Sequence, residues 1–344
     1  MKILKILIAL LALLALLTGC ASSAPKATTP PVDGNGLAVH FIDVGQADCA
    51  LLECDGEYLL IDGGNVEDSS LVVSYLQQQG VQELAAVVCS HAHEDHVGGL
   101  PGVLAVYPTE AVYAPTRTYS SKCFDDFVYY TDQQDLQIII PQVGDVIPFG
   151  DATAEVLGPV KSYADPNNTS IVLKVTYGQT SFLFTGDMET SAETDMLDHG
   201  ANVKVDVLKV GHHGSDTSTG YRLLYEAMPT HAVISVGKGN SYGHPNEGVL
   251  SRLEDAGCTL YRTDKLGTII AVSDGVNISF TWGNTHSAPE SGTETETVYI
   301  GNTKSKKFHT PNCASLPSEA NRIEFNTYEE AVDAGYSPCG NCLN

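Results

Sequence analysis

The sequence predicts an α/β fold: an αββα sandwich followed by a small zinc-stapled α+β module. Three observations lead there. Short apolar strands alternate with helical stretches through the middle of the chain. The run His91-Ala92-His93-Glu94-Asp95-His96 sits on a loop between one such strand and a helix start. Near the end, His309-x3-Cys313 is followed by Cys339-x2-Cys342. Two ligand pairs at that spacing signal structural zinc.

The elements follow in order. Strands are expected over 38–42, 58–61 and 84–88, with a helix over 69–79 between the last two. Residues 107–130 are aromatic-rich and read as irregular. The second half gives strands over 171–177 and 182–184, a helix near 189–197, a strand over 205–210, a helix near 221–228 and a strand over 231–236. In such an alternation ligands collect on loops at strand ends. Asp62, His91, Asp187, His212 and His244 all fall at such positions.

The metal loop has its own logic. The alternate side chains His91 and His93 can aim at one ion, and Asp95 with His96 at a second. Imidazole and carboxylate suit Zn²⁺ or a harder ion such as Mn²⁺.

Length and charge bound the rest. The 344 residues give room for one large domain and one small one. Acids outnumber Lys and Arg by 42 to 18, for a net charge of −24. An acidic surface repels nucleic-acid phosphate unless metals or a basic patch intervene, which counts against tight DNA binding by the large domain.

The N-terminal end sets the expected compartment. Lys2 and Lys5 precede the apolar run 6–17, which is signal-peptide length. Leu17-Thr18-Gly19-Cys20 resembles a bacterial lipobox. That resemblance implies a signal peptide over 1–19 and lipidation of Cys20. It also implies an extracytoplasmic protein lipid-anchored to the bacterial cell membrane. Residues 20–36 read as a flexible tether. No other run approaches spanning length, so no channel is expected. Of nine cysteines, Cys49, Cys54, Cys89, Cys123 and Cys258 remain after the lipid and zinc assignments. Their odd number argues against a full disulfide framework, with one or two bridges left open.

Several separated motifs carry a family resemblance. They are 39–48 (VHFIDVGQAD), 60–64 (LIDGG), the His91–His96 loop, 182–187 (FLFTGD), 208–215 (LKVGHHGS), 242–245 (YGHP) and 261–264 (YRTD). The loop resembles the metallo-β-lactamase superfamily. The whole set, over 37–283, resembles the soluble metallo-β-lactamase-like domain of the ComEC competence proteins. The resemblance implies a hydrolase with two divalent metals, Zn or Mn. Two such ions can bridge a hydroxide that attacks phosphorus or a carbonyl carbon.

The first site would take His91, His93 and Asp187. The second would take Asp95, His96, Asp187 and one of His212 and His213, with His213 preferred as ligand and the choice left open. The family pattern has a further histidine before the bridging Asp. None of the eleven histidines lies between His96 and Asp187, and 165–170 reads DPNNTS instead. Unequal sites are therefore expected. The catalytic set is Asp95, His212, Lys238 and His244. Lys238 could hold a phosphate as a point charge. His244 could ligate, donate to phosphate or act as general acid.

The expected function is a metal-dependent phosphodiesterase or nuclease, with DNA or another phosphodiester polymer as substrate. The alternatives are a phosphorylcholine or teichoic-acid phosphodiesterase and a non-catalytic DNA-capture lipoprotein. β-Lactam hydrolysis is not expected, and oligomeric state stays open.

The tail is separate. Residues 284–297 read as a polar linker. Residues 298–344 resemble the metal-binding domain of the Ada DNA-repair proteins. That pattern has four cysteines, the first of which accepts a methyl group. Here His309 holds its position, so a zinc module is expected and methyl transfer is not. One structural zinc would be held by His309, Cys313, Cys339 and Cys342, stapling a module too small for a large core. Lys304, Lys306, Lys307 and Arg322 could grip nucleic acid, or the module could be a structural knuckle.

Overall fold

The computed structural model describes residues 36–283, 299–309, 313, 316–325, 331 and 334–339. The signal peptide, nearly all of the tether, the linker, Cys20 and Cys342 lie outside them. The chain forms two compact units, Met1–Thr285 and His286–Asn344.

The larger unit is built on two sheets. The first has eight strands in the order β15-β14-β1-β2-β3-β4-β5-β6. These are β1 (Leu37–Phe41), β2 (Ala50–Cys54), β3 (Glu57–Ile61), β4 (Ala86–Val88), β5 (Val112–Tyr113), β6 (Ile138–Ile139), β14 (Thr268–Ser273) and β15 (Ile278–Gly283). The second has seven, in the order β13-β12-β11-β10-β9-β8-β7. These are β7 (Val146–Phe149), β8 (Ala152–Gly158), β9 (Val172–Tyr177), β10 (Thr180–Phe184), β11 (Val207–Lys209), β12 (His231–Ile234) and β13 (Thr259–Arg262).

Side-chain alternation along the strands makes the layers. In β1, Leu37, Val39 and Phe41 face the inter-sheet core. His40 faces the other way, its Nδ1 2.7 Å from the Tyr75 hydroxyl of helix Ser69–Gln79. In β10, Phe182 and Phe184 point between the sheets while Leu183 joins the cluster beneath the outer helices. Phe41 stacks on Phe184 across the sandwich, ring centroids 5.9 Å apart. The helices Ser69–Gln79 and Lys122–Gln133 cover one sheet, and Thr190–Asp198, Tyr221–Ala227 and Glu247–Asp255 cover the other. The fold is thus the expected α/β sandwich, four layers deep.

Two local readings need correction. Residues 107–130 are not irregular: they hold β5 and most of the helix Lys122–Gln133. Aromatic and β-branched residues depress its helix propensity, but tertiary packing overrides that. Phe124, Phe127 and Thr131 share one buried face, and the Ser121 hydroxyl caps the start by accepting from the Phe124 N–H. The sequence reading also passed over β2, which ends on Glu53-Cys54, and the β7–β8 hairpin, in which β7 carries a proline and β8 mixes small and polar residues. Cys49, Cys54, Cys89, Cys123 and Cys258 all carry free thiols.

The smaller unit has a four-stranded sheet, β18-β16-β17-β19. Its strands are β16 (Tyr299–Asn302), β17 (Lys307–His309), β18 (Arg322–Phe325) and β19 (Ser337–Pro338). Its core is small: Phe308, Phe325, Ala331 and Tyr336. Among the described residues no helix is long and apolar enough to cross a membrane.

Candidate metal centre

The candidate site lies at the C-terminal ends of β1, β3, β4, β10 and β11, where loops from both sheets converge. β4 delivers Ser90 and His91, and His93 opens the short helix Glu94–Val97. That turn aims Asp95 and His96 inward. Asp187 follows β10, and His213 follows β11.

Asp95, His96, Asp187 and His213 bring one donor atom each within 4.8 Å of one another. His96 Nε2 lies 3.3 Å from Asp187 Oδ1, and His213 Nε2 lies 3.3 Å from Asp95 Oδ2. His96 Nε2, His213 Nε2 and Asp187 Oδ1 are buried and have no hydrogen-bond partner. Orphaned buried donors and acceptors are costly unless something satisfies them. Three such atoms facing one point, in an imidazole–carboxylate set, fit a divalent cation.

The rings are held from behind. Asp62 Oδ2 lies 2.8 Å from His96 Nδ1, and Asp62 also accepts from the Ser90 hydroxyl and backbone N–H, each at 2.7 Å. His213 Nδ1 lies 3.1 Å from the Ser235 carbonyl oxygen and 3.2 Å from Asp48 Oδ1. Lys209, buried at the end of β11, donates to Asp48 Oδ2 at 2.8 Å. Partners on the far ring nitrogen fix the tautomer and raise ligand basicity.

The carboxylates make the cluster attractive to positive charge. Burial disfavours charge on His213, but Asp187, Asp48 and Asp95 outweigh it and push its pKa up to about 10. His96 is raised in the same way, against burial, by Asp187, Asp62 and Asp95. Burial opposes ionisation of Asp95, yet His96 and His213 hold it down at about 2.

The backbone is strained where the chemistry sits. His212 and His213 both occupy the left-handed region, at φ 50° and 52°. Non-glycine residues there cost about 1–3 kcal/mol each and persist only when their surroundings hold them. Gly214 follows at φ +84°, and a Cβ there would meet Pro245 Cβ at 2.5 Å.

The other sequence candidates lie around this cluster. His91 Nε2 is 3.1 Å from His93 Nδ1, and the His91 ring is 4.1 Å from that of His96. Burial, then His96, hold the His91 pKa well below the ordinary range. In the 165–170 segment that replaces a further histidine, Asn167 Oδ1 is buried without a hydrogen-bond partner. Neighbouring Ser170 accepts from the Asp187 N–H at 3.1 Å.

His212 is partly exposed, Nε2 3.6 Å from Asp187 Oδ2 and Nδ1 3.1 Å from the Thr217 hydroxyl. Its ring is 5.8 Å from that of His244, whose Nδ1 meets the Gln46 amide at 3.5 Å. Burial, then His212 and His213, hold His244 low and so neutral. Lys238 is exposed on the loop after β12, next to Gly237, whose N–H donates to Gln46.

In the smaller unit, His309, Cys313 and Cys339 bring donor atoms within 4.8 Å of one another. His309 Nδ1 and Cys313 Sγ are 3.3 Å apart, and the Cys339 N–H donates to the Phe308 carbonyl at 2.9 Å. Lys306 is turned onto Tyr336, its Nζ 4.4 Å from the ring centroid.

Residues 42–238 match the family model of the metallo-beta-lactamase superfamily. The chain belongs to that superfamily. Residues 292–344 of this metallo-beta-lactamase chain match the metal binding domain of Ada. Among curated relatives, ComE operon protein 3 of Bacillus subtilis is 32% identical over 250 residues, covering 67% of this chain and 32% of that protein. Competence protein ComA of Neisseria gonorrhoeae is 31% identical, covering 73% and 34%. Recombination protein 2 of Haemophilus influenzae is 31% identical, covering 70% and 29%. The metallo-beta-lactamase chain thus spans about a third of the length of these relatives. Its metallo-beta-lactamase unit is related to these competence proteins.

Within this metallo-beta-lactamase site, sequence reasoning placed Asp62 at a ligand-bearing strand end but missed the supporting residues Asp48, Ser90, Lys209 and Gln46. One signal was available: Lys209 interrupts the apolar run of β11, and a buried lysine needs a carboxylate.

Proposed function

We infer that the chain is a metal-dependent phosphodiesterase acting on DNA or another phosphodiester polymer. The observation that carries this is the convergence of Asp95, His96, Asp187 and His213 with buried atoms that nothing in the protein satisfies. The competence relatives support DNA as the polymer.

Asp95, His96, Asp187 and His213 would hold one ion, and His91 and His93 a second, weaker one. When bound, divalent ions, Zn²⁺ or Mn²⁺, supply Lewis acidity toward phosphoryl oxygens and the attacking water. The residues around them supply the rest. Asp62 and Asp48 keep the Nε2 atoms of His96 and His213 turned inward. Asp187 presents oxygens to both rings. His212, with Nδ1 on Thr217, faces the substrate from the rim. His244 and Lys238 receive phosphate from the Gln46 side. The smaller unit would hold a structural zinc through His309, Cys313 and Cys339, with Cys342 beside it in sequence.

We place the protein outside the cytoplasmic membrane, held by lipid on Cys20. The charged start, the 6–17 apolar run and the lipobox-like Leu17-Thr18-Gly19-Cys20 support this.

The test is an assay of the full chain with added Mn²⁺ or Zn²⁺ on single- and double-stranded DNA and on bis(p-nitrophenyl) phosphate. Metal-dependent cleavage abolished by Asp187→Asn is the expected result. Metal binding without cleavage of any phosphodiester would leave a non-catalytic capture protein.

A further inference from the structure

A groove of about 520 Å³ opens on the His93 side of the candidate centre, with Ala92 in its wall. That size falls within the roughly 300–1,000 Å³ of ligand sites. Its lining contains no aspartate or glutamate, although the chain carries 42 acids against 18 basic residues. Instead it presents Lys161, two tyrosines and the hydroxyls of Thr116, Thr118 and Ser162. With no carboxylate among its own lining residues, the groove repels an anionic ligand less than the rest of so acidic a protein.

The two tyrosines are fixed in place. The Tyr119 ring sits 6.2 Å from the His93 ring and 6.1 Å from Phe124, so it reaches from the core to the proposed metal ligands. The Tyr163 hydroxyl donates to Asp195 Oδ2 at 3.0 Å. Lys161 Nζ lies 2.6 Å from the same oxygen and 5.3 Å from the Tyr163 ring centroid. Asp195 therefore positions both side chains while taking up much of the lysine's charge. What remains is weakly cationic, hydroxyl-rich and aromatic.

We propose that this groove seats a single strand of nucleic acid, with Tyr119 and Tyr163 as stacking surfaces for unpaired bases. Base–aromatic stacking contributes about 1–3 kcal/mol per base and tolerates any sequence. A duplex buries its base faces, so the groove selects a single strand. A polyol phosphate has no bases and would gain nothing from the tyrosines. The assignment rests on the phosphodiesterase reading, and it names the substrate form that reading leaves open. With Lys161 largely neutralised, the groove's grip depends little on salt. One phosphate contact corresponds to a slope of about −0.7 in log affinity against log salt.

The test measures binding by the full, metal-loaded chain. Three probes of equal length are compared: phosphorothioate-linked oligothymidylate, which resists cleavage, its abasic counterpart and the matching duplex. Oligothymidylate should bind at least about 30-fold tighter than either of the others. Tyr119→Ala and Tyr163→Ala should each remove about 5- to 100-fold of that affinity, and Tyr119→Phe should restore it. Equal affinity for base-bearing and abasic strands overturns the proposal. So does full affinity in a doubly substituted, normally melting variant. Bis(p-nitrophenyl) phosphate separates the two readings. A base preference without turnover rejects the hydrolase and keeps the groove, while turnover without base preference does the reverse.

Discussion

The Asp48 carboxylate lies 3.2 Å from His213 Nδ1 while also accepting from Lys209 Nζ at 2.8 Å. One buried acid thus supports a candidate metal ligand and neutralises a buried lysine. Asp48→Asn should cost about 3–5 kcal/mol, because Lys209 is left as an unpaired buried charge. Adding Lys209→Met should recover most of that stability and none of the metal affinity, which should stay about 10- to 100-fold below wild type. Thermal melting and metal titration of the two variants check both halves. Metal affinity restored by the second substitution would refute a direct role for Asp48 behind His213.

The two candidate metal positions should differ. Only one of them gathers four donor residues from both sheets. His213→Ala should remove the ion that survives dialysis, whereas His93→Ala should keep it and lose a weaker one. Metal analysis after dialysis reads this. Two equally tight ions in the wild-type large unit would contradict it.

Glu193 gives a pH dependence away from the metal cluster. It is buried and accepts from the backbone N–H groups of Thr219 and Gly220, just before helix Tyr221–Ala227. Burial outweighs those donors and raises its pKa from 4.5 to about 7. The folded state therefore holds a proton that the unfolded state releases. Stability should be fullest below about 4.5 and fall as pH rises to about 7, by roughly 3 kcal/mol. Glu193→Gln should flatten that part of the curve. An unchanged slope of melting temperature against pH in the variant would show that Glu193 is not its source.

The smaller unit should depend on its metal. Among the described residues its core is Phe308, Phe325, Ala331 and Tyr336, and a module of this size needs a staple. Cys339→Ala should abolish its ordered NMR signals, because structural zinc supplies folding free energy. Native dispersion retained in the variant would contradict this.

The sandwich was legible because its strands alternate cleanly. Val39 and Phe41 face inward with His40 between them, and Phe182 and Phe184 flank Leu183. The ligand loop was legible for a different reason: His91, His93, Asp95 and His96 need one another's chemistry at short range, whatever packs around them. The supporting residues were hidden by distance. Lys209 and Asp48 are 161 positions apart, and nothing local to either announces the other. The helix Lys122–Gln133 was hidden by its composition, since its stability comes from the face that Phe124 and Phe127 bury.

Asp95 and His96 hang from the eight-stranded sheet, and Asp187 and His213 from the seven-stranded one. An ion shared by all four would be available only to the docked sandwich, so it would act as a clasp between the halves. At a free concentration 100 times the dissociation constant, such a clasp adds about 2.7 kcal/mol against unfolding. Metal supply would then add to the stability of the docked sandwich, on top of the apolar core between the sheets, and stripping it would weaken that seam.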